Sequence, residues 1–75
     1  MKIIFDKSTY KPGEEISGNG VGKLIISKLG KKLSEANVNG NFTLPAMSAG
    51  SYAVELIADY QSYWSALEVI ENPWQ

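Results

Sequence analysis

The chain contains no cysteine, no histidine and no arginine among its 75 residues. Without cysteine, neither a disulfide nor a thiolate metal site can reinforce the fold. Without histidine, the commonest general base and metal ligand is missing, so no metal and no cofactor is expected. All seven cations are lysine, set against eight carboxylates for a net charge of −1, and like charges never run beyond two in a row. That balance argues against nucleic acid, which needs a concentrated basic face and usually arginine. It argues equally against an anionic membrane surface. No stretch approaches the ~20 apolar residues of a membrane span. The apolar start Met1-Lys2-Ile3-Ile4-Phe5 ends at Asp6, far short of a signal-peptide core, and reads as a first strand. Absence of cysteine suits both the cytoplasm and many bacterial surface proteins, so it does not fix the compartment.

A chain of this length makes one domain and buries only ~60% of its unfolded surface, so its core is marginal. What it does contain is period-two alternation broken by glycine and proline. Lys2 to Asp6 reads as a short strand. In Lys11-Pro12-Gly13-Glu14, Pro12 pre-sets the second turn position and Gly13 supplies the positive φ of the third. A type II turn is expected there, with Tyr10 laid inward as its anchor and Ile16 inward on a strand over Glu14 to Ser17. Gly18-Asn19-Gly20-Val21-Gly22 reads as a flexible turn. Lys23 to Leu29 follows as a strand and Gly30 as a turn. Lys31 to Val38 is a polar strand near an edge, guarded by Lys28, Lys31 and Lys32. A helix over Lys31 to Asn37 would satisfy propensity but would be short and isolated. Asn39-Gly40 is a strong tight-turn pair, Asn41 to Leu44 a strand, Pro45 its stop, and Ala46 to Gly50 a loop.

The second half, from Gly50 to Ile70, reads as a hairpin about Gln61-Ser62. That register sets Leu56 against Leu67 and Val54 against Val69 on one face. On the other, Glu55 meets Glu68, Ile57 meets Ala66 and Asp59 meets Trp64. With turn signals every ~7–12 residues, the pattern predicts an all-β fold. The expected architecture is a small immunoglobulin-like antiparallel β-sandwich of six or seven short strands over 1–71, with 72–75 opening a linker.

Few residues invite a chemical reading. The glycine run ending in Gly22-Lys23 fails as a phosphate loop, because the position five residues before Gly22 is Ser17 and Leu24 follows Lys23. Asn41-Phe42-Thr43 fits a glycosylation triplet, a pattern too loose to carry a site. Glu55 opposite Glu68 would bring two carboxyls within the ~5–5.5 Å of a retaining glycosidase. On a solvated face both stay ionised, and so small a chain offers no deep cleft, so the chain is not expected to be an enzyme. The aromatic cluster of Tyr60, Tyr63 and Trp64 at the hairpin tip, with Trp74 near the end, has three readings. The rings cap the core, contact a neighbouring domain, or stack on a sugar.

Asp6-Lys7-Ser8-Thr9-Tyr10-Lys11-Pro12-Gly13-Glu14 resembles the opening of the N-terminal immunoglobulin-like domain of the bacterial dextranase and cycloisomaltooligosaccharide glucanotransferase family. Further pieces match in order: Lys28-Leu29-Gly30, Leu44-Pro45 through Gly50-Ser51-Tyr52-Ala53-Val54-Glu55, and Ala66-Leu67-Glu68-Val69, followed by Pro73-Trp74. The likeness covers nearly the whole chain. Departures are the compressed Gly18 to Gly22 region and the lack of the barrel that carries the family's catalytic carboxylates, so no catalytic residue transfers. The resemblance implies a non-catalytic accessory module, extracellular or on the cell surface, of an enzyme acting on α-linked glucan. Its partner would be the adjacent catalytic domain of the same parent chain, with α-glucan secondary. The Tyr-Lys-Pro-Gly-Glu opening also recurs in macroglobulin-type and other bacterial surface β-sandwiches. A surface adhesin or stalk repeat, and a self-standing carbohydrate-binding module, are therefore the alternatives.

Overall fold

A computed structural model describes residues 4–71, and these are strand and connecting turn with no helix. The strands are β1 (Ile4–Phe5), β2 (Thr9–Tyr10), β3 (Ile16–Lys28), β4 (Lys31–Leu44), β5 (Gly50–Ala58) and β6 (Gln61–Val69). The protein is all-β, and Lys31 to Asn37 is strand. Lys2 and Ile3 of the expected first strand, and the expected linker at 72–75, lie outside the described residues.

Local chemistry sets the first corner as its residues predict. Gly13 takes a φ of 86°, and the Glu14 N–H donates to the Lys11 carbonyl at 3.0 Å, closing the turn after Pro12. Tyr10 is 2% exposed, and its hydroxyl donates to the Ser17 carbonyl at 2.9 Å while accepting from the Lys7 N–H. A buried phenol with both partners supplied ties the corner to β3.

Two expected turns are instead uninterrupted strand, which is a correction. Gly18 to Gly22 lies within β3 and Asn39-Gly40 within β4, and the two segments pair with each other, Gly20 opposite Gly40. Their glycines serve close approach and bending. A Cβ on Gly20 would stand 3.4 Å from the Leu56 side chain, and one on Gly22 only 2.4 Å from the Ile57 carbonyl oxygen. Gly22 and Gly40 also hold φ values of 139° and 104°, which side chains rarely adopt.

The order is β1-β3-β5-β6-β2, with β4 on the far edge of β3. Every pair is antiparallel except β2 with β6. Where the sequence suggested two packed sheets, hydrogen bonding runs unbroken through one. That sheet folds over itself, as its register requires. Phe5 pairs with Gly18, whereas Thr9 is carried through Glu68 and Ser51 to the level of Leu29, just past the end of β3 and eleven residues beyond Gly18. In a flat sheet those levels stand ~36 Å apart, but the chain from Phe5 to Thr9 can span at most ~14 Å. The core fills the fold: Ile16, Leu24 and Ile26 of β3 meet Val54 and Leu56 of β5 and Leu67 and Val69 of β6.

The hairpin register is a further correction. Ala58 pairs with Gln61, so the turn is Asp59-Tyr60, both at positive φ (52° and 64°), and not Gln61-Ser62. Positive φ at both central residues is the two-residue turn whose twist matches the flanking strands. Leu29-Gly30, at 54° and 77°, closes β3 to β4 in the same way. Leu56 therefore faces Tyr63, and Leu67 faces Tyr52.

Candidate functional site

The new register redistributes the aromatic residues. Tyr60 is in the turn itself and fully exposed. Tyr63 and Trp64 are consecutive in β6, so they point to opposite faces of the sheet. Tyr63 faces inward and packs against the core, while Trp64 is 66% exposed on the outer face. The expected tip cluster is thus divided among a turn, the core and the outer face. Trp74 lies outside the described residues.

On the outer face Trp64 lies directly across from Glu55, and Glu55 across from Ile25 of β3. Its same-face neighbours are Ala53 and Ile57 on β5 and Ser62 and Ala66 on β6, with Val21 exposed further along β3. Alanines at 53 and 66 are too short to cover the indole. Alternation puts this mixed row outward because the opposite set, Val54, Leu56 and Leu67, is claimed by the core.

Toward β4 the same face becomes polar. Lys23 stands beside Ile57 and approaches the Glu35 carboxylate at 3.8 Å; Lys32 bonds the other oxygen of Glu35. These ammonium groups, Lys32 first, hold the exposed Glu35 carboxyl below the usual carboxylate range. Asn37, Asn39 and Asn41 occupy successive outward positions, and the Asn19 amide donates to Asn41 Oδ1 at 2.8 Å.

The carboxylate pair considered for catalysis is not brought together. Glu55 pairs with Trp64, while Glu68 pairs with Ser51, whose hydroxyl donates to it at 2.7 Å. Four residues of strand, ~13 Å, separate the two levels. Among the described residues there is no enclosed cavity and no cluster of potential metal ligands. What the face offers is an open, partly apolar surface with one large ring, a carboxylate beside it and a lysine within two rows. Such a surface suits contact with another surface, protein or sugar. The Glu55–Trp64 pair escaped the sequence reading because it depends on the turn, and placing the turn at Asp59-Tyr60 would have revealed it; Ile25 joins them through the β3–β5 register, which no local signal sets.

In comparisons with known proteins, the chain matches no family model and no curated sequence.

Proposed function

We propose that this chain is a non-catalytic, immunoglobulin-like accessory module of a secreted glucan-active glycoside hydrolase or transglycosylase. Its role is to pack against the catalytic domain of the same parent chain and stabilise it, with Trp64 at the centre of the contact. The observation that carries this reading is Trp64 itself, 66% exposed on the outer sheet face, with the Ala53–Ala66 pair on one side and Ile57–Ser62 on the other. A ring of that size buries ~150–250 Å² when covered, so an uncovered one is a strong candidate anchor. The parent enzyme and its location come from the resemblance of the Asp6 to Glu14 corner and the later matching pieces.

A second reading has an observation in its favour. Glu55 stands directly beside Trp64, so a sugar ring stacked on the indole would find a hydrogen-bond acceptor next to it. A single ring on an open face gives no more than ~1–3 kcal/mol, the order of one base stacked on an aromatic. That implies millimolar affinity at best.

The test is to express the chain with the coding sequence that follows Gln75. A catalytic barrel there, whose melting temperature falls on Trp64→Ser while the isolated module is unaffected, supports the accessory role. Tandem copies of the Tyr-Lys-Pro-Gly-Glu opening would make it a stalk repeat. Saturable micromolar binding of isomaltooligosaccharides by the isolated chain, lost on Trp64→Ala, would make it a carbohydrate-binding module.

A further inference from the structure

Among the described residues, β4 hydrogen-bonds to β3 alone, so its outer edge presents unpaired N–H and C=O groups along its length. Natural edges of this kind are blunted by charge, proline or a bulge. Here all such protection sits at the two ends. The hairpin end carries Lys28, Lys31 and Lys32, and the register shifts by one residue at Leu33, which is left as a bulge opposite Ile26 and Ser27. The other end is stopped by Pro45. Between bulge and proline runs Ser34 to Leu44, a stretch with no proline and a single charge, Glu35.

From this edge we infer that β4 pairs with β4 of a second copy of the chain, antiparallel, about a two-fold axis through Asn39. The argument is geometric. A two-fold normal to the sheet keeps each residue on its own face, so only registers that set one residue opposite itself are allowed. Asn39 is the midpoint of Ser34 to Leu44, and centring there pairs the whole stretch, with Gly40 at a φ of 104° its one irregular position, while leaving both bulges and both prolines outside it.

That register is self-complementary in charge and in size. Glu35 falls opposite the second copy's Thr43, and the lysines lie beyond its Pro45, so no like charges meet. On the inner face, the small exposed residues Ser34 and Ala36 fall opposite Leu44 and Phe42, the large residues that end the strand. On the outer face, Asn37 meets Asn41 and Asn39 meets Asn39, an amide ladder of the kind that stacks stably between identical strands. The pairing does not use Trp64, so it stands apart from the proposed domain contact.

Sedimentation equilibrium of the chain, from micromolar to millimolar, tests this. The expected result is a rise from 8.2 kDa to twice that mass. Asn39→Lys, which sets two ammonium groups face to face at the axis, should remain at the single-chain mass with an unchanged circular dichroism spectrum. In this cysteine-free background, Asn39→Cys should form a disulfide-linked dimer on mild oxidation, and Asn19→Cys, exposed on the neighbouring internal strand, should not. A single-chain mass at millimolar concentration would overturn the inference. A dimer that survives Asn39→Lys, or that cross-links equally through position 19, would do the same.

Discussion

Tyr60 occupies the second position of the β5–β6 turn at a φ of 64°, and its side chain is 105% exposed. A left-handed conformation costs a residue bearing a Cβ ~1–2 kcal/mol relative to its preferred regions. Glycine escapes that cost, but its freer unfolded chain returns ~0.5–1 kcal/mol of the gain. Because the ring packs against nothing, its removal forfeits no burial. Tyr60→Gly should therefore stabilise the domain by roughly 0.5–1 kcal/mol, which in a chain of this size raises Tm by about 2–8 °C. Tyr60→Ala is the control, since it removes the ring and keeps the Cβ; its Tm should be close to that of the parent. The assay is thermal unfolding followed by circular dichroism, with urea denaturation as a check that the m-value is constant. Loss of stability in both variants would refute the reasoning. The ring would then be holding the turn through contacts, and the Asp59-Tyr60 geometry would be wrong.

Leu56 is fully buried between the two halves of the folded sheet, so Leu56→Ala should cost ~2–5 kcal/mol in the same melts. Gly22→Ala combines a positive φ with a Cβ 2.4 Å from the Ile57 oxygen, and should destabilise by about 1–3 kcal/mol or more. A Gly22→Ala protein with an unchanged Tm would mean that β3 does not bend there. The Glu14 carboxyl is held below its ordinary 4.5 by the Lys7 ammonium first and the Lys11 N–H second. A depressed folded pKa gives stability that is present above pH 4.5 and lost as the pH falls through the folded value. Tm should thus decline on acidification below pH 4.5, and Glu14→Gln should remove part of that decline.

The corner at Tyr10 to Glu14 was legible because everything that sets it is local. Pro12 and Gly13 dictate the turn, and a tyrosine beside it has one apolar place to go. The all-β class was legible for the same reason, since alternation with period two needs no knowledge of partners. The stretch from Gly18 to Gly22 was not. Glycine marks a turn when the chain reverses and a close approach when another strand crosses, and in sequence these look alike. Only the Leu56 and Ile57 atoms lying against β3 separate them, and those come from thirty or more residues away. Asn39-Gly40 misled in the same way, because its partner across the ribbon is Gly20.

The β5–β6 hairpin shows why the core was read correctly and the outer face was not. Matching Leu56 to Leu67 places the turn at Gln61-Ser62, and turn propensity raises no objection, since tyrosine is a poor residue for a left-handed position. The true turn lies two residues earlier, so every pairing shifts by four, Leu56 facing Tyr63 rather than Leu67. An even displacement leaves every side chain on its own face, so Val54, Leu56, Leu67 and Val69 are buried in either arrangement. Burial is a property of the face and survives the slip. A site is a property of neighbours across the strands, and does not. The same displacement that leaves the core intact separates Glu55 from Glu68, and with them the glycosidase geometry. It sets Trp64 beside Glu55 instead, creating the surface on which the proposed function rests.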